Sequence, residues 1–445
     1  MTMMKLFIAL AAIDFIMALG RYVCFFELLI LMGSLQWFGS NIWLTENLRI
    51  GFRPGNHYYE TMFSFTLILA MGLLFFKPSR LEQKTKVLIN KLSEIPDIDK
   101  YGKFFFYMGF IFSFLSSVVG NIATIGQLIY LFAQLGYVSM ICFLFSKSPQ
   151  RVIYILITFT YTIITCITTT LFWPIIFWSL FFFIIYAMRR RVSLPLKLIL
   201  LGAGAFLVVF VQSFKQQLRF ETTFRPDYLE PRSGTFSAFS SLAEQRLSTL
   251  GASDFNKVFL GTFFMRINQG TWDNLVINRV DQKGSFLNGE SIYSAAAGAF
   301  IPRFLWPNKP KFDNSLLSRL LGTNIRAFIS ISILAEAYVN FGFKGGCLFM
   351  LIYAILLSSY YRMILRWSFR KTPLYFVFFP FLFYTFTRAE VDFVQTIYSM
   401  VSSTVTLLLI FYILQRLGFL KRTAFLTSQA QPNANILNGK QLSPG

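Results

Sequence analysis

Histidine occurs once in the 445 residues, as His57, and cysteine four times, as Cys24, Cys142, Cys166 and Cys347, with no paired spacing. With so few soft ligands, no metal centre, no disulfide framework and no cofactor is expected. Charge is scarce as well. Asp, Glu, Lys and Arg make up 14% of the chain against 55% hydrophobic residues, and the mean hydropathy is +0.56. That balance excludes an ordinary soluble globular protein. Acidic residues are the rarer sign, 20 against 41 Lys and Arg, for a net charge of +21. The cations stand in short clusters between apolar runs, as in the cytoplasmic loops of membrane proteins, so no nucleic-acid partner is expected.

What remains is apolar chain in membrane-length pieces. Each crossing needs about 20 mostly apolar residues. Spans are expected near residues 5–20, 23–44, 59–76, 104–120, 124–145, 152–170, 172–188, 198–214, 342–361, 373–387 and 395–414. The first twenty residues imitate a signal peptide, but Asp14 interrupts the apolar core, so they read as a retained helix. The fold class is therefore an all-α polytopic membrane protein of about 11 transmembrane helices with one large extracytoplasmic loop of short helices. The basic stretches beginning at Lys77, Ser146, Arg189, Arg366 and Gln415 all fall on one side, the cytoplasmic one, if the spans alternate from the third onward. Residues 1–214 then form an N-terminal membrane bundle, 215–326 the large outer loop, 327–422 a C-terminal bundle and 423–445 a polar, disordered cytoplasmic tail. Short helices are expected within the loop near 240–250, 255–276, 290–300 and 314–321. Residues 327–340 read as a partly inserted helix packed on the bundle.

Three constellations carry possible chemistry. Ser332, Glu336 and Asn340 recur at i, i+4 and i+8, a polar stripe on an apolar rod. A carboxylate held there is desolvated, which suits a general base or acid and equally suits an ion-pair staple. In RAEVDF, Arg388, Asp392 and Gln395 are expected to share one helical face, with Arg388 a ligand for phosphate or the partner of Asp392. In RINQGTWDN, Arg266, Gln269 and Asp273 are expected to line one face beside Trp272. The planar guanidinium fork neutralises two phosphate oxygens at once, as a diphosphate leaving group requires where no metal is present. Trp272 and Trp306 suit either sugar stacking or interfacial anchoring. Glu290 opens an Ala-rich helix and suits either a base or the helix dipole. His57, alone on an outer loop, ranks below both acids.

The pattern G-x-F-I-P-R-x-x-W-P-x-K-P from Gly298 to Pro310, followed by A-E-A-Y-x-N-F-G-x-x-G from Ala335 to Gly345, resembles the oligosaccharide repeat-unit polymerases, the Wzy-type O-antigen and exopolysaccharide polymerases of bacteria. The likeness covers roughly residues 260–346. It implies a metal-independent glycosyltransferase of the cytoplasmic (inner) membrane that joins lipid-linked repeat units carried on undecaprenyl diphosphate, at the outer face. Among the positions that match are Arg303, Trp306, Lys309, Glu336, Tyr338 and Asn340. Glu336, Glu290 and Arg303 are then the catalytic candidates. Arg266, Arg388, Lys309, Trp306, Tyr338, Asn340 and Trp272 are the substrate-binding ones. The implied partners are lipid-linked oligosaccharides, membrane lipids, a chain-length regulator and a flippase. A ligase that transfers finished glycan, and a transporter of lipid-linked sugars, are the competing readings.

Overall fold

The computed structural model describes residues 1–47, 54–119, 123–222, 234–248, 256–301, 306, 315–322 and 330–420, and among them there is no β-strand. The chain opens with α1 (Thr2–Ala18), then α2 (Phe25–Ser34) and α3 (Ser40–Asn47) joined by a wide turn at Leu35–Gly39. Next come α4 (Asn56–Phe76) and two short helices, α5 (Ser79–Gln83) and α6 (Thr85–Glu94). They are followed by α7 (Ile98–Val119), α8 (Ala123–Ala133), α9 (Leu135–Phe145), α10 (Arg151–Thr169), α11 (Trp173–Arg190) and α12 (Leu194–Thr222). The loop contributes α13 (Thr235–Ser248), α14 (Thr262–Ile267), α15 (Gly270–Lys283), α16 (Glu290–Phe300) and α17 (Ser315–Leu321). The chain then returns through α18 (Ile333–Arg370), a 3₁₀ segment at Pro373–Phe378, α19 (Phe379–Phe383) and α20 (Phe393–Arg416).

Seven of the described helical stretches are long and apolar enough to cross a membrane: α4, Gly126–Phe145 across α8 and α9, α10, α11, α12, α18 and α20. The expected count of eleven is not reached by that measure. Of the four missing spans, the one expected at 104–120 falls in α7, which is not among the seven, and the other three have local causes. With 17 residues α1 is short, the wide turn interrupts the second apolar run, and the run at 373–387 is broken into a 3₁₀ segment and a five-residue helix. Chemistry-bearing irregularity of this kind is tolerated at membrane depth only where protein encloses it. Accordingly, Leu374 to Phe383 are all buried.

Phenylalanine, with 55 copies, fills the interior. Phe25 stacks on Phe383 at 5.3 Å and meets Phe181 edge-on at 5.2 Å, while Tyr375 lies flat on Phe411 at 3.9 Å. Each such pair contributes about 0.5–1.5 kcal/mol beyond its area burial. Elsewhere the backbones themselves touch. A Cβ on Gly109 of α7 would stand 2.2 Å from the amide nitrogen of Gly136 in α9, so the absent side chain is what lets these helices meet.

At Gly342 the helix α18 is broken, with φ +65° and ψ −169°, a conformation open essentially to glycine alone. The piece before it, from Ile333 to Phe341, is the short packed helix expected near 327–340. Val339 O, freed near the break, accepts the amide of Leu287 at 3.0 Å, which ties the loop to the bundle.

The helix ends sort into two sets. One end of the bundle gathers Lys77, Arg151, Arg189–Arg191, Arg366–Lys371 and Arg416, and is called the basic end below. The opposite end receives the loop: Gln269 N bonds Gln36 O at 3.2 Å and Trp37 Nε1 donates to Ala389 O at 3.0 Å. Of α12, no residue in the most apolar window is buried inside the protein, so that helix offers its length to lipid and its last turns to the loop end.

Candidate functional site

At the loop end the first piece of α18 begins with Ser332, whose hydroxyl caps the helix by accepting the amide of Ala335 at 3.2 Å. One turn on, Glu336 is wholly buried. Its Oε2 accepts the amide of Phe393, the first residue of α20, at 2.6 Å, and its Oε1 accepts the hydroxyl of Ser291 in α16 at 2.7 Å. Asn340 closes the network, donating from Nδ2 to Ser291 Oγ and to Glu336 O, both at 2.8 Å. The i, i+4 pair Glu336 and Asn340 thus lies on one face as the spacing implies. Both carboxylate oxygens are nevertheless occupied by donors from two other helices. This is the geometry of a staple between α16, α18 and α20, with no arginine in it.

Two further acids sit beside it. Asp392 caps α20 through Gln395 N at 2.8 Å and accepts Ser330 Oγ at 2.9 Å. Asp273, fully buried, accepts Ser332 N at 2.9 Å and Gln269 Nε2 at 3.4 Å. Burial pushes the Asp273 carboxyl up to about 6 and also raises that of Asp392. Around them, Gln269 and Gln395 reach Ser330 from either side. Amides and hydroxyls satisfy most of the cluster, while Asp273 Oδ2 and Asn340 Oδ1 have no hydrogen-bond partner among the described residues, and it holds loop to bundle.

Other candidates are brought into contacts of their own. Tyr338 donates its hydroxyl to Asp281 Oδ1 at 2.7 Å, and His57 Nε2 lies 2.8 Å from the Tyr338 hydroxyl oxygen and 3.4 Å from Asp281 Oδ2. Glu290 forms an exposed ion pair with Arg319 at 2.8 Å. Trp272 is half-buried against the core and Trp306 is half-buried. Arg303 and Lys309 lie outside the described residues.

The cations tell a different story from the acids. Two expectations of shared faces are corrected. Arg266 ends α14, the chain extends at Asn268, and Gln269 starts α15, so Gln269 and Asp273 share a face while Arg266 does not. Residues 384–392 are not helical, so Arg388 and Asp392 part company; the Arg388 guanidinium pairs with Glu390 Oε1 at 2.8 Å. Asp392 before an apolar run is an N-cap, and the helix starts after it.

Arg266 instead joins two residues at the end of α12. Lys215 and Arg219 are one turn apart there, and α12 packs against α14. Arg219 is tied to the turn after α10, donating to Thr170 Oγ1 at 3.2 Å and Thr170 O at 3.4 Å. Lys215 is 4% exposed, with its ammonium 5.9 Å from the centre of the Phe172 ring. The charges that act on Lys215 most strongly are those of Arg219 and Arg266. Burial first, and Arg219 second, lower the guanidinium pKa of Arg266 from its ordinary value. Among the described residues no carboxylate comes within ion-pair distance of any of the three. The Glu390 charge also reaches Lys215, and its buried Oε2 has no hydrogen-bond partner among the described residues. The Arg388 charge acts in turn on Tyr130 and Tyr384.

Here, then, are three half-desolvated cations beside an acid that has one oxygen without a partner among the described residues. Like charges confined with no paired counter-ion among the described residues form a ready site for a multiply charged anion. Sequence reasoning found Arg266 and Arg388 and missed Lys215, Arg219 and Glu390. Two cations at i, i+4 closing the apolar run of α12 were the available signal. No protein-family model, no curated protein and no solved structure matches the chain.

Proposed function

We propose that the protein is a polysaccharide polymerase that joins lipid-linked oligosaccharide repeat units by attack at a sugar–diphosphate bond, in the manner of the family its sequence resembles. The observation that carries this reading is the grouping of Lys215, Arg219 and Arg266 with no paired carboxylate among the described residues. A diphosphate ester needs that much positive charge, and its leaving group gains a further negative charge as the bond breaks. The lipid-facing length of α12 immediately below Lys215 suits the polyprenyl tail of such a donor.

In this mechanism Lys215, Arg219 and Arg266 hold the donor's diphosphate. The acceptor hydroxyl oxygen forms a bond to the anomeric carbon, the bond from that carbon to the diphosphate oxygen breaks, and the electron pair leaves with the lipid diphosphate. The hydroxyl proton passes to the open Oε2 of Glu390, which Arg388 orients. Glu336, with both oxygens taken, positions the loop instead. In this reading the cations lie at the outer face of the cytoplasmic membrane, with the basic clusters on its inner side and eleven traverses of the bilayer.

The test is complementation of a strain lacking its native copy. Lys215→Ala and Arg266→Ala should each lower long-chain polysaccharide about a hundredfold and leave single repeat units, at normal membrane levels of the protein. Normal chain length in both variants overturns the reading. Full-length glycan accumulating on its lipid carrier would instead assign the ligase reaction.

A further inference from the structure

A second group of cations lies at the opposite end of the molecule. Toward the end of α18 a cavity of about 460 Å³ is lined by Arg362, Met363, Arg366, Trp367, Arg370 and Lys371. Arg362, Arg366 and Arg370 follow one another at i, i+4 and i+8, so one stripe of the helix is cationic. Two of the positive groups are held in place. Arg362 Nη2 donates to Phe76 O, the last residue of α4, at 3.0 Å, and the Lys371 ammonium stands 4.9 Å from the centre of the Trp367 ring. Among the described residues no carboxylate lies within ion-pair distance of any of these four cations.

A topological anchor needs only charge near headgroups. This feature has more: a concave volume, guanidinium forks that match phosphate oxygens, and an apolar strip of Met363 and Trp367 beside them. The combination of phosphate-matching donors with an apolar flank fits an amphiphile better than a free ion, because a free ion gains nothing from the strip. We infer that this groove is a headgroup site for an anionic diacyl phospholipid, with the phosphodiester on Arg362, Arg366 and Arg370 and the glycerol and first acyl carbons along Met363 and Trp367. The bias of the basic clusters places it in the cytoplasmic leaflet, away from the cations at the loop end. It stands whether or not the polymerase reading holds.

The experiment uses the full-length protein purified in detergent, with native mass spectrometry against phosphatidylglycerol and phosphatidylcholine in parallel. The wild type should retain phosphatidylglycerol and not phosphatidylcholine. The Arg366→Gln, Arg370→Gln double variant should bind phosphatidylglycerol at least about tenfold more weakly. Equal retention of the two lipids, or no loss in the double variant, overturns the inference, as does displacement of phosphatidylglycerol by inorganic phosphate at equal concentration. A photoactivatable phosphatidylglycerol on the wild type covers the case of a variant that does not fold. Labelling within residues 359–371 is the expected result, and labelling confined to other segments rejects the site.

Discussion

Glu336 poses the sharpest question at the scale of single residues, because a buried carboxylate reads equally as a base and as a staple. Its two oxygens receive Phe393 N and the Ser291 hydroxyl. A glutamine in its place keeps one acceptor for the amide and offers a donor to Ser291. Glu336→Gln should therefore retain the fold and most of the polymer, whereas Glu336→Ala should cost about 2–6 kcal/mol, about 1–3 for each of the two buried donors left unmatched. Detergent thermal melts together with polymer gels check both; loss of all polymer in a stably folded Glu336→Gln protein would restore the base. Asp273 offers a pH test. Its pKa rises from 3.8 in the unfolded chain to about 6 in the folded one. Its contribution to stability is thus full below about pH 4 and lost as pH climbs through 6, by about 3 kcal/mol in all. Relative to wild type, Asp273→Asn should gain thermal stability over that interval and level off above it. A constant difference from pH 4 to pH 7 contradicts the assignment.

Among the elements, the basic end has a lock that complements the hydrogen-bonded staple at the loop end. Lys77, after α4, is paired with Glu27 of α2 and, at 3.1 Å, with Glu82 of α5. The Tyr22 and Tyr361 hydroxyls each donate to one of those carboxylates at 3.0 Å. Burial pushes Glu82 up to about 7 despite Lys77. Replacing Lys77 by Met strands two acids in a site with side chains under a tenth exposed. The expected cost is about 3–5 kcal/mol, read as a lowered melting midpoint at neutral pH and a smaller loss at acid pH, where Glu82 is protonated. An unchanged midpoint would mean that water reaches the lock. The elements were partly legible in the sequence. The Ala-rich helix at 290–300 and the short packed helix before Gly342 follow from composition and from the period of their apolar residues. The break of the 373–387 run into a 3₁₀ segment and α19 does not, because apolar content alone carries no information about where a helix stops. The start of α20 was available in Asp392, an N-cap before an apolar run, and the face-sharing argument for Arg388 ran past it.

For the whole molecule, the proposed function rests on a division of labour between its ends. Pattern and charge bias in the sequence give an all-helical membrane chain with one large loop, and the spacing of Glu336 and Asn340 gives their common face. The cation group could not be read that way. Lys215 and Arg219 come from the end of α12, Arg266 from the loop 47 residues further on, and Glu390 from the segment before α20; only folding makes them neighbours. If those cations bind the leaving diphosphate, the reaction needs no ion gradient and no nucleotide. The most direct measurement is elongation by the purified protein in liposomes, given lipid-linked repeat units and no energy source, with Lys215→Ala beside the wild type. A ladder of lengthened oligosaccharides from the wild type alone is the predicted result. Single units from both, or equal ladders from both, would contradict the account.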